Sequence, residues 1–148
     1  MRKNIRVNET FVSSKIHWVR GQKVMIDEDL AELYAVPTKR LNEQVRRNSS
    51  RFPKDFMFQL SPKEFENLKS QIATASWGGR RNLPYAFTEH GVLMLSSVLN
   101  SETAVQVNIK IMRVYTRLRE IMISNKDILL KLEQLEGKIN VQGKDIQA

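Results

Sequence analysis

Between Thr38 and Lys54 the chain reads TKRLNEQVRRNSSRFPK, six basic residues against one acidic. Wound into a helix, this stretch puts Leu41, Val45 and Asn48 on one face and Arg40, Gln44, Arg47 and Arg51 on a flank about 90° away. Guanidinium groups donate to guanine edges and phosphates, and a carboxamide pairs with adenine, so a cationic stripe with one amide suits the edge and backbone of a nucleic acid. That is binding chemistry, and the rest of the sequence offers little else. Glu89-His90 is an adjacent acid and base with no evident nucleophile beside it, and no Gly-rich phosphate loop, HExxH or nucleophile elbow is present. Both residues follow Thr88 and read as helix-start residues, so no enzyme is expected. With no cysteine and only His17 and His90, a zinc site would need carboxylates, and neither a metal nor another cofactor is expected.

The cationic stripe needs elements to hold it. Immediately before it, DEDLAELYAVP carries four acids, and Asp27 has the character of an N-cap with Glu28 and Asp29 in the first turn. Leu30, Leu33 and Tyr34 form the apolar stripe of this first helix, which should stop near Ala35 or Val36 because Pro37 forbids simple continuation. Thr38 is then the expected cap of the second, basic helix. Upstream, IHWV and KVMI flank Arg20-Gly21-Gln22, the signal of a short hairpin with glycine where a positive φ is wanted. Downstream, Phe52-Pro53 ends the helical stretch and Phe56 to Leu60 reads as a mostly buried strand. Ser61-Pro62-Lys63-Glu64 joins a capping box to a proline at the first helical position, opening a helix buried through Phe65, Leu68 and Ile72.

At 148 residues with 41% hydrophobic content, the chain suits one cored domain with an extension. The formal charge of +8 is uneven: residues 1–26 carry +5, 27–37 carry −4, 38–54 carry +5, 55–100 carry 0 and 101–148 carry +2. Two basic blocks around an acidic helix fit a docking surface for a polyanion, against the plainer reading of a basic solvated face. Residues 1–14 read as a flexible arm in which Arg2, Lys3 and Arg6 either dangle or lie along a phosphate backbone. The amino end lacks the apolar core of a signal peptide, and no apolar run approaches the roughly 20 residues of a membrane span, so a reducing cytoplasm and no membrane contact are expected.

Trp77-Gly78-Gly79-Arg80-Arg81 marks a tight exposed turn. Its two arginines suit a wing that reaches backbone or minor groove, the alternative being a surface loop whose Trp77 packs on the core. Thr88 should cap a further helix whose Val92, Leu93, Leu95, Val98 and Leu99 are core. From Ala104, the positions Val107, Ile111, Val114, Leu118, Ile121, Asn125, Ile128, Leu132, Leu135 and Ile139 follow at alternating steps of three and four. With Ala104 as a, Val107, Val114, Ile121, Ile128 and Leu135 occupy d, and Asn125 is the polar a residue that fixes register and favours a two-stranded parallel coil. Residues 104–118 are expected to pack on their own domain. Beyond about Met122 the seam needs a second chain, with Ile121, Asn125, Ile128, Leu132 and Leu135 at a homodimer contact and Gly137 and Gly143 weakening the end.

The segments VMIDEDLAELYAV, TKRLNEQVRRN, RFPKDFMFQL, SWGGRRNLPYAFTEHGVLMLSSVLNS and VNIKIMRVYTRLRE resemble a KilA-N-type phage DNA-binding domain, and more closely its ORF-six-N branch. The resemblance runs from about Ile16 to about Glu120. It implies a DNA-binding domain of bacteriophages, prophages and large DNA viruses, often at the amino end of antirepressor-like or transcription-regulating proteins. Ala35 and His90 stand where the pattern has Gly and Gln. An alanine in a left-handed cap costs about 1 kcal/mol, so the turn after the first helix is expected to rely on Pro37 instead.

These readings combine into an α+β protein: an arm at 1–14, a DNA-binding domain at 15–100 built from a β-ribbon, strands and a helix-turn-helix-like pair, and a long helix and dimerising coiled coil at 101–148. Entering the major groove by its amino-terminal part, the second helix would bring Thr38, Lys39, Arg40 and Gln44 nearest the double-stranded DNA. Arg40 pairs with guanine and Gln44 with adenine in this reading, while Lys39, Arg46, Arg47, Arg51, Arg80 and Arg81 take phosphates. Arg46 has the alternative of pairing with Glu43 or Asn42 on its own helix. The competing function is an interaction module whose heptad helix captures another phage or host regulator.

Overall fold

The computed structural model describes residues 9–71 and 82–147, with side chains through Glu136. In chain order the elements are α1 (Glu9–Ser14), β1 (Ile16–Val19), β2 (Gln22–Ile26), α2 (Asp27–Tyr34), α3 (Thr38–Arg47), β3 (Met57–Gln59), α4 (Pro62–Gln71), β4 (Tyr85–Thr88), α5 (Glu89–Leu99) and α6 (Glu102–Gln147). The fold is α+β. Two compact units divide the chain, one ending at Val114 and the other beginning at Tyr115.

A four-stranded antiparallel sheet in the order β1-β2-β4-β3 organises the first unit. Arg20 and Gly21 both take positive φ, 53° and 73°, which is the two-residue geometry whose twist matches a tight hairpin between β1 and β2. Alternation along the strands divides two cores. Val24, Ile26, Phe58 and Ala86 face Phe65 and Leu68 of α4, while Phe87 leaves by the other side and meets Phe52 edge to face at 5.9 Å between ring centroids. α3 packs beside α2 and α5.

Several local expectations change. Within the stretch expected to be a free arm, Glu9–Ser14 form a short helix with Val12 buried. Asp27 is the first residue of α2 rather than its cap, that position falling to Ile26. Thr38 likewise begins α3, with Pro37 in the capping position and no side-chain cap, because an extended proline leads directly into helical φ. Ala35 does adopt the left-handed cap, φ 58° and ψ 43°, its N–H reaching the carbonyls of Ala31 and Glu32, so the turn does not depend on Pro37 alone. The strand at Phe56–Leu60 shrinks to β3, where Phe58 is buried and Gln59 exposed, the alternation of an edge strand rather than a continuous buried run. β4 had no clear sequence signal, yet it is an inner strand.

The other two expected caps, at Ser61 and Thr88, are present. Ser61 Oγ accepts from Glu64 N–H at 3.2 Å and Glu64 Oε1 accepts from Ser61 N–H at 2.8 Å, closing the capping box at α4. Thr88 caps α5 by accepting from Gly91 N–H, and its hydroxyl donates to the Asp55 carbonyl at 2.8 Å. Gly91 lies so close to the Phe56 carbonyl that a Cβ there would collide with backbone. In α6, Ala104, Val107, Ile111 and Val114 are buried, as expected for a helix start that belongs to the domain. Among the described residues no helix is long and apolar enough to cross a membrane.

Candidate nucleic-acid interface

α3 is fixed by its buried side and its amide. Leu41 and Val45 are buried, and Asn42 Nδ2 donates to the Asp27 carboxylate at 3.1 Å. The same Asp27 oxygen accepts from the Tyr85 backbone N–H at 3.3 Å, and the other takes Glu28 N–H at 2.7 Å. Asp27 is fully buried, so these donors replace lost hydration around its charge. The outcome is a helix tied at once to the start of α2 and to an inner strand.

The outer side of α3 and the turn after it carry cations that make no ion pair among the described residues. Lys39, Arg40, Arg46, Arg47 and Arg51 are all exposed, and none makes an ion pair among the described residues. The alternative for Arg46, pairing with Glu43 or Asn42, is not made among the described residues, and the Asn42 amide donates to Asp27. Arg51 is not on α3 at all. Asn48 ends the helix, and Arg51 follows in a separate 3-10 turn, Ser49–Arg51. Gln44 is half-buried beside Arg40 and Arg47. Arg80 and Arg81, with Trp77 and the glycine pair, lie outside the described residues, as do Arg2, Lys3 and Arg6.

Elsewhere in the first unit some cations have internal partners, while Lys54, Lys63, Lys110 and Arg113, like those of α3, make no ion pair among the described residues. Arg20 donates to both carboxylate oxygens of Glu64 at 2.8 and 3.0 Å, and its guanidinium lies 4.2 Å over the Phe58 ring. The Arg20 hydrogen bonds hold the Glu64 carboxyl at about 2, well below the usual carboxylate range. Lys15 sits 3.8 Å from Asp29, and Lys69 pairs with Glu66 at 2.8 Å.

Two further features escaped the sequence reading. Glu43 stands midway around α3 between the Lys39/Arg46 row and the Arg40/Arg47 row, about 50° from each. A count of residues three and four apart along the helix would have found it. A cavity of about 520 Å³ is also lined by Lys39, Asn42 and Arg46 together with Met57, Gln59 and Tyr85.

A family model described as the ORF6N domain matches residues 14–98, more than half of the chain. The chain belongs to the ORF6N domain family. This family is phage-associated, and its match begins just before the ORF6N hairpin and ends at α5, so α3 and the whole sheet lie inside it. No curated protein and no solved structure matches the chain significantly. Among the described residues no group of histidine, cysteine, aspartate or glutamate could hold a metal ion. Glu89 and His90 start α5, and the exposed His90 ring stacks on Phe56 at 5.5 Å.

Proposed function

We propose that this ORF6N protein is a phage-type regulator of the KilA-N kind that docks α3 in duplex DNA and works as a self-associated pair joined through the distal part of α6. One observation carries the DNA reading: five exposed cations lie on the outer side of a helix anchored by Leu41, Val45 and Asn42 and in the turn after it, and none makes an ion pair among the described residues. A polyanion supplies the missing counter-charge and releases its own condensed ions in doing so. Arg40 and Gln44 are the base-reading residues in this proposal, with Thr38 nearest the groove. Lys39, Arg46, Arg47 and Arg51 hold phosphates, as do Arg80 and Arg81 outside the described residues.

A second reading, an antirepressor-like module that captures another regulator, has its own support in the apolar side chains that α6 exposes from Ile121 to Leu135. Salt separates the two. Fluorescence anisotropy on random duplex of about 30 base pairs, at two salt concentrations, compares the full chain with Arg40→Ala, Arg47→Ala. The expected result is binding that weakens with salt, with a log-log slope reduced by about one in the variant, since Arg47 holds a phosphate and Arg40 a base. No binding of the wild type at low salt sinks the DNA reading and leaves the interaction module.

A further inference from the structure

Between Leu118 and Leu135 the seam of α6 departs from a plain two-stranded pattern. In the heptad phased on Ala104, Leu118 and Leu132 hold a, Ile121, Ile128 and Leu135 hold d, and Met122 and Leu129 hold e. Leucine at a with isoleucine at d shifts preference from two strands towards more, the reverse of the β-branched a and leucine d that suit a dimer. Apolar e positions widen the arc to about 100°, the width of a helix that faces a bundle core rather than a strict a/d seam.

Ile121, Met122, Ile128, Leu129, Leu132 and Leu135 are all about half exposed in the single chain, between 45% and 57%, and Ile123 and Leu130, at f outside this arc, are exposed too. A helix draws most of its stability from packing of its apolar face, and so much exposed apolar surface calls for cover. Charge says what covers it. In a parallel pair each e residue meets a g residue of the partner chain five positions earlier, which would set Met122 against an arginine and Leu129 against a serine, with no complement in either. In a four-stranded bundle the e row is drawn inward and the g row of one helix faces the c row of the next. Arg117 and Lys131 occupy g, and Glu120 and Asp127 occupy c, so those rows are opposite in sign.

We infer that four copies of this chain assemble through residues 118–135 as a parallel four-stranded bundle, a pairing of pairs. This rests on the self-association in the reading above and goes beyond it. Asn125 forms one polar layer in which four carboxamides, each donor and acceptor, satisfy one another and fix the register at some cost in stability.

Sedimentation equilibrium on the full chain tests the inference. The expected wild-type mass is four times the 17.2 kDa chain. Met122→Lys, Leu129→Lys leaves the a/d seam intact and should halve that mass, with circular dichroism confirming that the first unit stays folded. Two chain masses in the wild type overturn the four-stranded bundle and leave the pair. One chain mass overturns both. Four chain masses in the lysine variant overturn the part given to the e row.

Discussion

Asn42 Nδ2 donates to the buried carboxylate of Asp27 across 3.1 Å, and this bond joins the basic helix α3 to the first turn of α2. Tyr85 N–H reaches the same oxygen, so β4 is held at the same point. One carboxylate therefore sets the position of α3 on the sheet. Replacing it strands buried donors, each costing about 1–3 kcal/mol when unsatisfied. Asp27→Ala should lose about 2–4 kcal/mol in urea unfolding, whereas Asp27→Asn, which keeps one acceptor, should lose less. Equal losses in the two variants would mean that the space filled, not the acceptor, is what matters.

Ala35 carries a conformation that suits glycine. Its φ of 58° places Cβ against the following carbonyl. Ala35→Gly should stabilise the first unit by about 1 kcal/mol by relieving that strain, less the entropy glycine adds to the unfolded chain. A raised urea midpoint with unchanged slope is the expected result. A lowered midpoint would show that the unfolded-state entropy of glycine outweighs the strain.

What the sequence revealed about these elements followed from how local each signal was. The capping box at Ser61–Glu64, the Arg20-Gly21 turn and the Thr88 cap are complete within four residues, and all three form. Asp27 carried a local signal too, but its acid character at a helix start is equally that of a cap. Only Asn42 and Tyr85, 15 and 58 residues away, show its role. β4 has four residues, and its inner place comes from pairing with β2 and β3, which no window along the chain contains. On the candidate interface the cations are visible by spacing, and Glu43 reads there only as a partner for Arg46, because its central place shows only when both flanks of the helix are counted.

The Arg20–Glu64 pair links the hairpin turn to the start of α4, and its pH dependence has a definite sign. Glu64 titrates at about 2 in the folded chain, below its ordinary value of 4.5. A depressed folded value contributes stability above the unfolded value and loses it as pH falls from about 4.5 towards 2. Burial, then Lys15, lowers His17 as well, so an earlier acid loss begins below about 6.5. Arg20 is half exposed, so solvent screening keeps the pair's contribution at neutral pH small. Glu64→Gln should show that deficit at pH 7 and converge with the wild type near pH 2 to 3, while the loss beginning below 6.5 persists in both. Parallel stability curves down to pH 2 would remove the pair from the account.

Glu43 sits at the middle of the exposed side of α3, flanked by Lys39 and Arg46 on one hand and Arg40 and Arg47 on the other, yet no ion pair joins it to any of them. If cations on both flanks hold phosphates on the two walls of the major groove, this carboxylate points at the bases between them. There it repels phosphate and can accept only from a donor such as the cytosine amino group. It would act against non-specific binding and for discrimination. Glu43→Gln should therefore raise affinity for random duplex several-fold at low salt while leaving the salt slope within about one of the wild type, because no phosphate contact is gained. The same substitution should narrow the difference between selected and random duplex, since glutamine accepts alternatives that glutamate refuses. Anisotropy titrations on the two duplexes measure both effects, and an unchanged affinity for random duplex would put Glu43 outside the docked surface and turn α3 to the DNA by one flank alone.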